Sequence, residues 1–89
     1  MRVVIRKQAA KQLKKSPPQV QNKLATWVRL IKDVGLAETR KIPGFHDEPL
    51  QGKTTRSIRL SRQWRAEYRQ ETDDDGQLIL VVEVHPHDY

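Results

Sequence analysis

In the last third of this chain, Arg59, Arg65, Glu83, His85, His87 and Tyr89 fall on odd positions of segments that alternate polar and apolar residues. Strand alternation puts such positions on one face of a sheet. A preceding segment supplies His46, Glu48 and Lys53. Acids, bases and cations gathered in this way suit the scission of RNA. A base takes the proton of a 2′-hydroxyl, the 2′-oxygen attacks the adjacent phosphorus in line, and an acid protonates the departing 5′-oxygen. Cations stabilise the charge that develops on the phosphoryl oxygens. This chemistry needs no metal, and two alternate histidines with one Asp in His85-Pro86-His87-Asp88-Tyr89 are sparse ligation for zinc. No metal and no cofactor are expected. Plainer roles compete: Arg59 and Arg65 also fit a solvated face paired with Glu67 or Glu83, Glu48 a surface carboxylate, and His46 a loop hydrogen-bonding group. Glu48, His46 and His87 all stand as proton acceptors.

The elements that must position these groups are legible from periodicity. Val3-Val4-Ile5 reads as a short strand, and Lys7 to Lys15 as a helix with Arg6, Ala9, Ala10 and Leu13 on one side. Ser16-Pro17-Pro18-Gln19 reads as the capped start of a second helix, with Ser16 as N-cap and Gln19 completing a capping box. Val20, Leu24, Trp27, Val28, Ile31 and Val34 then recur at helical spacing until Gly35. From Glu38 to Thr55 the rhythm stops, and Pro and Gly between Ile42 and Lys53 predict a long ordered loop. Three antiparallel strands follow over Arg56 to Ser61, Trp64 to Glu71 and Leu78 to His85, with Asp75-Gly76 as the hairpin signal. Trp27 and Tyr68 are expected in the core, while Trp64 fits either environment. The expected fold is α+β in the order β-α-α-β-β-β, a helix hairpin on one face of a small, twisted, mainly antiparallel sheet whose first strand joins at an edge.

A chain of 89 residues without cysteine has room for one core, so a single domain spanning residues 1–89 is expected, without disulfides or Cys-based zinc. Its net charge of +6 favours polyanions or an acidic protein partner. The apolar runs are too short for a membrane span and the first residues too soon interrupted by charge for a signal peptide, so a cytoplasmic location away from membranes is expected.

Several strings resemble the RelE/ParE toxin superfamily over essentially the whole chain, closest to its RelE-, YoeB- and HigB-like messenger-RNA-cleaving branch. Glu48-Pro49-Leu50-Gln51-Gly52 is similar to the Glu-Pro-Leu-Lys and His-Pro-Leu-Lys-Gly loops of YoeB and HigB. Ser57 to Tyr68 is similar to the family's two-strand "(S)xRl…yRlxY" pattern, and Glu83 to Tyr89 to its short tails bearing His and Tyr. The resemblance implies a type II toxin that cuts messenger RNA in the ribosomal 30S A site, with Glu48 as general base and Arg65 stabilising the scissile phosphate. It makes His87 the acid or phosphate-orienting group and Tyr89 the terminal tyrosine, with Lys53 and Arg59 as supporting cations. Arg56, His46 and His85 join them as candidates for binding RNA phosphate. Asp88 separates His87 from Tyr89 where YoeB has them adjacent, and His46 lies two residues before the histidine position of HigB-like members. The implied partners are a cognate antitoxin, messenger RNA and the ribosome, and operator DNA through the antitoxin. A ParE-like inhibitor of DNA gyrase and a non-catalytic basic RNA- or protein-binding module are the alternatives. The richness of the tail in acid–base groups weighs against the gyrase inhibitor.

Overall fold

A computed structural model describes residues 1–86. Strand β1 (Arg2–Ile5), helix α1 (Lys7–Lys14) and helix α2 (Pro18–Arg40) are followed by a 3₁₀ turn at Pro43–Phe45. Strands β2 (Glu48–Pro49), β3 (Arg56–Arg59), β4 (Trp64–Asp73) and β5 (Gly76–Pro86) complete the described chain. The sheet order is β1-β5-β4-β3-β2. Strand β1 runs parallel to β5 at one edge, and every other neighbouring pair is antiparallel. Both helices pack on one face, so the expected α+β architecture is the one observed, with a fifth, two-residue strand added.

The core joins Ala9 of α1 and Val20, Leu24, Trp27 and Ile31 of α2 to Ile58, Ala66, Tyr68, Ile79, Val81 and Val84 of the sheet. Trp27 and Tyr68 are fully buried with ring centroids 5.0 Å apart, and Trp64 is partly buried against the same cluster. Burying side chains of this size contributes roughly 1.5–3 kcal/mol each. Val34 is half exposed, so it falls outside the buried stripe that Val20, Leu24, Trp27 and Ile31 form on α2.

Several local expectations are corrected. Ser16 closes α1 instead of opening α2, because its hydroxyl donates to the Leu13 carbonyl at 2.6 Å. Pro17 takes the N-cap position of α2 with extended backbone (φ −60°, ψ 151°) and gives no side-chain cap. The cause is the second proline, since a residue before proline is pushed out of the helical region. Gly35 (φ 86°) does interrupt the helix, but helical backbone resumes to Arg40, driven by the burial of Leu36 and Thr39. The hairpin turn is Asp74-Asp75, one residue earlier than expected, because Asp73 pairs with Gly76.

The predicted long loop is built on anchors. Phe45 is buried, Lys23 lies 5.3 Å over its ring, and the Lys23 ammonium donates to the Gly44 carbonyl. After His46, which adopts a left-handed conformation (φ 46°), the backbone extends into β2 and pairs Glu48 with Ser57. A turn from Leu50 to Lys53 then reverses the chain, with the Lys53 amide donating to the Leu50 carbonyl and Gly52 at φ 76°. Positive φ at that position is what glycine permits.

One irregularity decides which face of the sheet receives chemistry. Glu67 pairs with Glu83 but Tyr68 pairs with Val81, leaving Val82 as a bulged residue. Before the bulge the odd residues Ile79 and Val81 point into the core, whereas beyond it Val84 is buried. The bulge therefore turns Glu83 and His85 to the opposite face. Helix α1 stabilises this region through Gln12, whose side-chain oxygen accepts from the Val84 amide at 2.8 Å.

Candidate active site

Register places Ser57, Arg59, Arg65, Glu67, Glu83 and His85 on the face away from the helices. A pocket of about 90 Å³ opens there, lined by Glu48, Leu50, Ser57, Arg65, Glu67 and His85. Of the sequence candidates, Glu48, Arg65 and His85 thus converge on one cavity.

Glu67 is the organising group of this face. Its side chain is 8% exposed, and its Oε1 accepts from the Thr55 hydroxyl at 3.2 Å and from the Lys53 ammonium at 3.4 Å. Its Oε2 lies 3.0 Å from His85 Nε2, while His85 Nδ1 is 3.0 Å from the Pro86 carbonyl. Both ring nitrogens face oxygens, so the imidazole plane is fixed against the pocket wall. The Arg65 side chain is 12% exposed, with Nη1 3.5 Å from Ser57 Oγ and 3.8 Å from Glu48 Oε1. Glu48 is half exposed and also meets His46, whose Nε2 is 3.5 Å from Glu48 Oε2. A partly solvated carboxylate, a guanidinium with long contacts to Ser57 and Glu48, and a buttressed imidazole therefore surround the pocket.

The remaining candidates separate. Lys53 reaches the site through Glu67, and Arg59 lies directly across the ladder from Arg65. His46 contacts Glu48 from the loop. Arg56 is not brought to this face: it pairs with Tyr68 in the ladder, shares the helix side with Ile58, and its Nε donates to Asp47 Oδ1 at 2.6 Å. Hydrogen bonding to Asp47 raises the Arg56 pKa above its usual value. His87 and Tyr89 lie outside the described residues. Among the described residues, one group could offer donors to a metal: Glu67, Glu83 and His85 hold ligand atoms within 4.8 Å of one another.

Sequence reasoning treated Glu67 only as an ion-pair partner of the arginines and passed over Asp47 entirely. Glu67 carried a usable signal, because it sits on the same strand parity as Arg65; its depth does not follow from parity.

Comparison of the fold with solved structures links it to bacterial and archaeal toxins. YafQ from E. coli strain BL21(DE3) superposes with a TM-score of 0.71 at 22% identity, covering 97% of this chain and 93% of that one. The RelE–RelB complex from Pyrococcus horikoshii OT3 gives 0.69 at 20% identity, covering 96% and 92%. The YoeB dimer from Staphylococcus aureus gives 0.65 at 16% identity, covering 100% and 98%. No protein-family model matches the chain, and no curated protein matches it by sequence. The chain therefore has the fold of the RelE-like toxins.

Proposed function

We propose that this protein is the toxin of a type II toxin–antitoxin pair and an endoribonuclease that cuts messenger RNA in the ribosomal A site. The observation that carries the reading is the convergence of Glu48, Arg65 and His85 on one pocket, on a fold that YafQ, RelE and YoeB also have. Glu48 accepts the 2′-hydroxyl proton, the 2′-oxygen bonds to phosphorus as the phosphorus–O5′ bond breaks, and the products end in a 2′,3′-cyclic phosphate and a 5′-hydroxyl. Arg65 neutralises the phosphoryl oxygens, which in a partly desolvated pocket contributes more than in water. His85, held by Glu67, binds the same phosphate, with Arg59 and Lys53 extending the cationic surface and His46 orienting Glu48. His87 delivers the proton to O5′, and Tyr89 completes the tail; both roles rest on the resemblance. The net charge of +6 suits RNA, the ribosome and an acidic antitoxin segment alike. No helix of the described chain is long and apolar enough to cross a membrane, and the proposed site of action is the cytoplasm.

Toeprinting of a defined message on 70S ribosomes in a cell-free translation reaction tests this. New 3′ ends at A-site codons are expected with the wild type, and a loss of about 100-fold or more in cutting rate with Arg65→Ala or His87→Ala. An intact message with wild-type protein, together with inhibition of supercoiling by purified gyrase, would replace the nuclease with a ParE-like inhibitor.

A further inference from the structure

Asp47 and Glu48 are adjacent in the chain and face opposite sides of the sheet. Glu48 reaches the open pocket, whereas the Asp47 side chain is only 1% exposed on the helix side. There its two oxygens are separately engaged: Arg56 Nε donates to Oδ1 at 2.6 Å, and the Tyr68 hydroxyl donates to Oδ2. Arg40, at the end of α2, donates from Nε to the Tyr68 oxygen at 3.4 Å. Tyr68 in turn packs on Trp27 at the centre of the core. The β2 segment itself is tied to the sheet by only two register pairs, Glu48 with Ser57 and Pro49 with Arg56. Proline has no amide to donate, so so short an edge strand fixes its own side chains poorly.

We propose that Asp47 is a positioning residue for the proposed nuclease, an anchor that sets the rotation of the Glu48 segment from the far side of the sheet. With both carboxylate oxygens of Asp47 fixed to the core, strand alternation leaves Glu48 one direction, towards Arg65 and the pocket. Asp47 touches neither substrate nor reacting atoms. Its effect is geometric, and a displacement of about 1 Å at a reacting group costs on the order of 100-fold in rate. The inference rests on the nuclease reading for its kinetic consequence and on geometry alone for its structural one.

The experiment compares wild type, Asp47→Asn and Tyr68→Phe in single-turnover cleavage of message on 70S ribosomes, alongside amide hydrogen exchange of the free proteins. Asn keeps the shape but presents an NH₂ to a donor, and Phe keeps the ring against Trp27 while removing one of the two bonds. The expected result is a 10- to 100-fold lower cleavage rate at saturating ribosomes for Asp47→Asn, a smaller loss for Tyr68→Phe, and little change in the ribosome concentration giving half-maximal rate. Faster exchange is expected at the Leu50 amide, which donates to the Thr55 carbonyl, while the Arg6 amide bonded to Val81 stays protected. If Asp47→Asn fails to fold, Tyr68→Phe carries both measurements. Wild-type rates and unchanged Leu50 exchange in the folded variants would overturn the proposal, as would rate losses that only follow the unfolded fraction. A wild type that cuts no message defeats the nuclease reading, and the Leu50 exchange then still decides whether Asp47 holds the segment.

Discussion

The two faces of the sheet use the same alternation to opposite ends. On the helix side, polar groups are few and locked: Asp47 is held by Arg56 and Tyr68 beside an apolar cluster. On the open side, Glu48, Arg65 and His85 surround a cavity; His85 is held at 3.0 Å, but Glu48 and Arg65 are linked only loosely, at 3.5–3.8 Å. Glu67 is the exception on that side, with contacts to Thr55, Lys53 and His85. A buried polar group without partners costs free energy, so the helix side tolerates only satisfied ones. The open side leaves bonding capacity for a ligand. Stability should therefore reside on the first face and activity on the second.

The largest effect expected from breaking this division is on the helix side. Trp27→Ala removes the largest fully buried side chain and should cost about 3–5 kcal/mol, a large share of the 5–15 kcal/mol typical of a domain. Urea unfolding at neutral pH checks it, and a loss below about 1 kcal/mol would show that the core does not depend on this ring.

Tyr68 gives the next largest effect. Its hydroxyl pKa is pushed up to about 12, first by burial and then by its hydrogen bond to Asp47. The unfolded chain releases this proton near pH 10 and the folded chain only near 12, so the stabilisation is complete below pH 10 and is lost as pH rises through that window. The loss should reach about 2 kcal/mol. Chemical unfolding between pH 9 and 12 tests it, with Tyr68→Phe as the reference in which this part of the alkaline loss disappears.

How far these faces were legible beforehand differs between them. The helix side was readable because apolar periodicity reports burial directly: Trp27, Tyr68, Ile58 and Leu60 all lie where their spacing put them. The open side was readable only as a list of odd residues. Alternation gives the face of Glu67 but not its depth, which comes from Thr55, Lys53 and His85 arriving from other segments. Nor does it give the bulge at Val82, without which Ile79 and His85 share a parity and cannot lie on opposite faces. Asp47 was hidden because its partners, Arg56 and Tyr68, are 9 and 21 residues away, and such separations leave no periodic trace.

Glu67 sharpens the division, since it lies on the open face but is buried. Glu67→Gln keeps its shape and weakens its hold on His85 and Lys53. A stability loss of about 1 kcal/mol is expected, with a cleavage rate lowered 10- to 100-fold through a displaced His85. Thermal unfolding and the ribosomal cleavage reaction, run on one preparation, separate the two. A variant that loses stability but cuts at the wild-type rate would assign Glu67 to the scaffold.

The smallest effect isolates burial from pairing. Arg2 and Asp73 form a second arginine–aspartate pair, at 2.6 Å like Arg56 and Asp47, but with both side chains nearly half exposed. The hydrogen bond from Arg2 holds the Asp73 carboxyl below the usual carboxylate range. Because the folded value lies below the unfolded one, the pair stabilises the fold above the ordinary Asp pKa and ceases to do so as pH falls through the lowered value. Water and salt screen an exposed pair, so its contribution is small even where it is complete. Asp73→Asn should therefore shift the melting temperature only slightly at pH 7, and not at all in acid or in 1 M salt. Asp47→Asn should give the larger shift at pH 7 and keep it in salt. Equal shifts for the two variants would mean that burial does not distinguish these pairs, and that the helix-side anchor is no firmer than a surface contact.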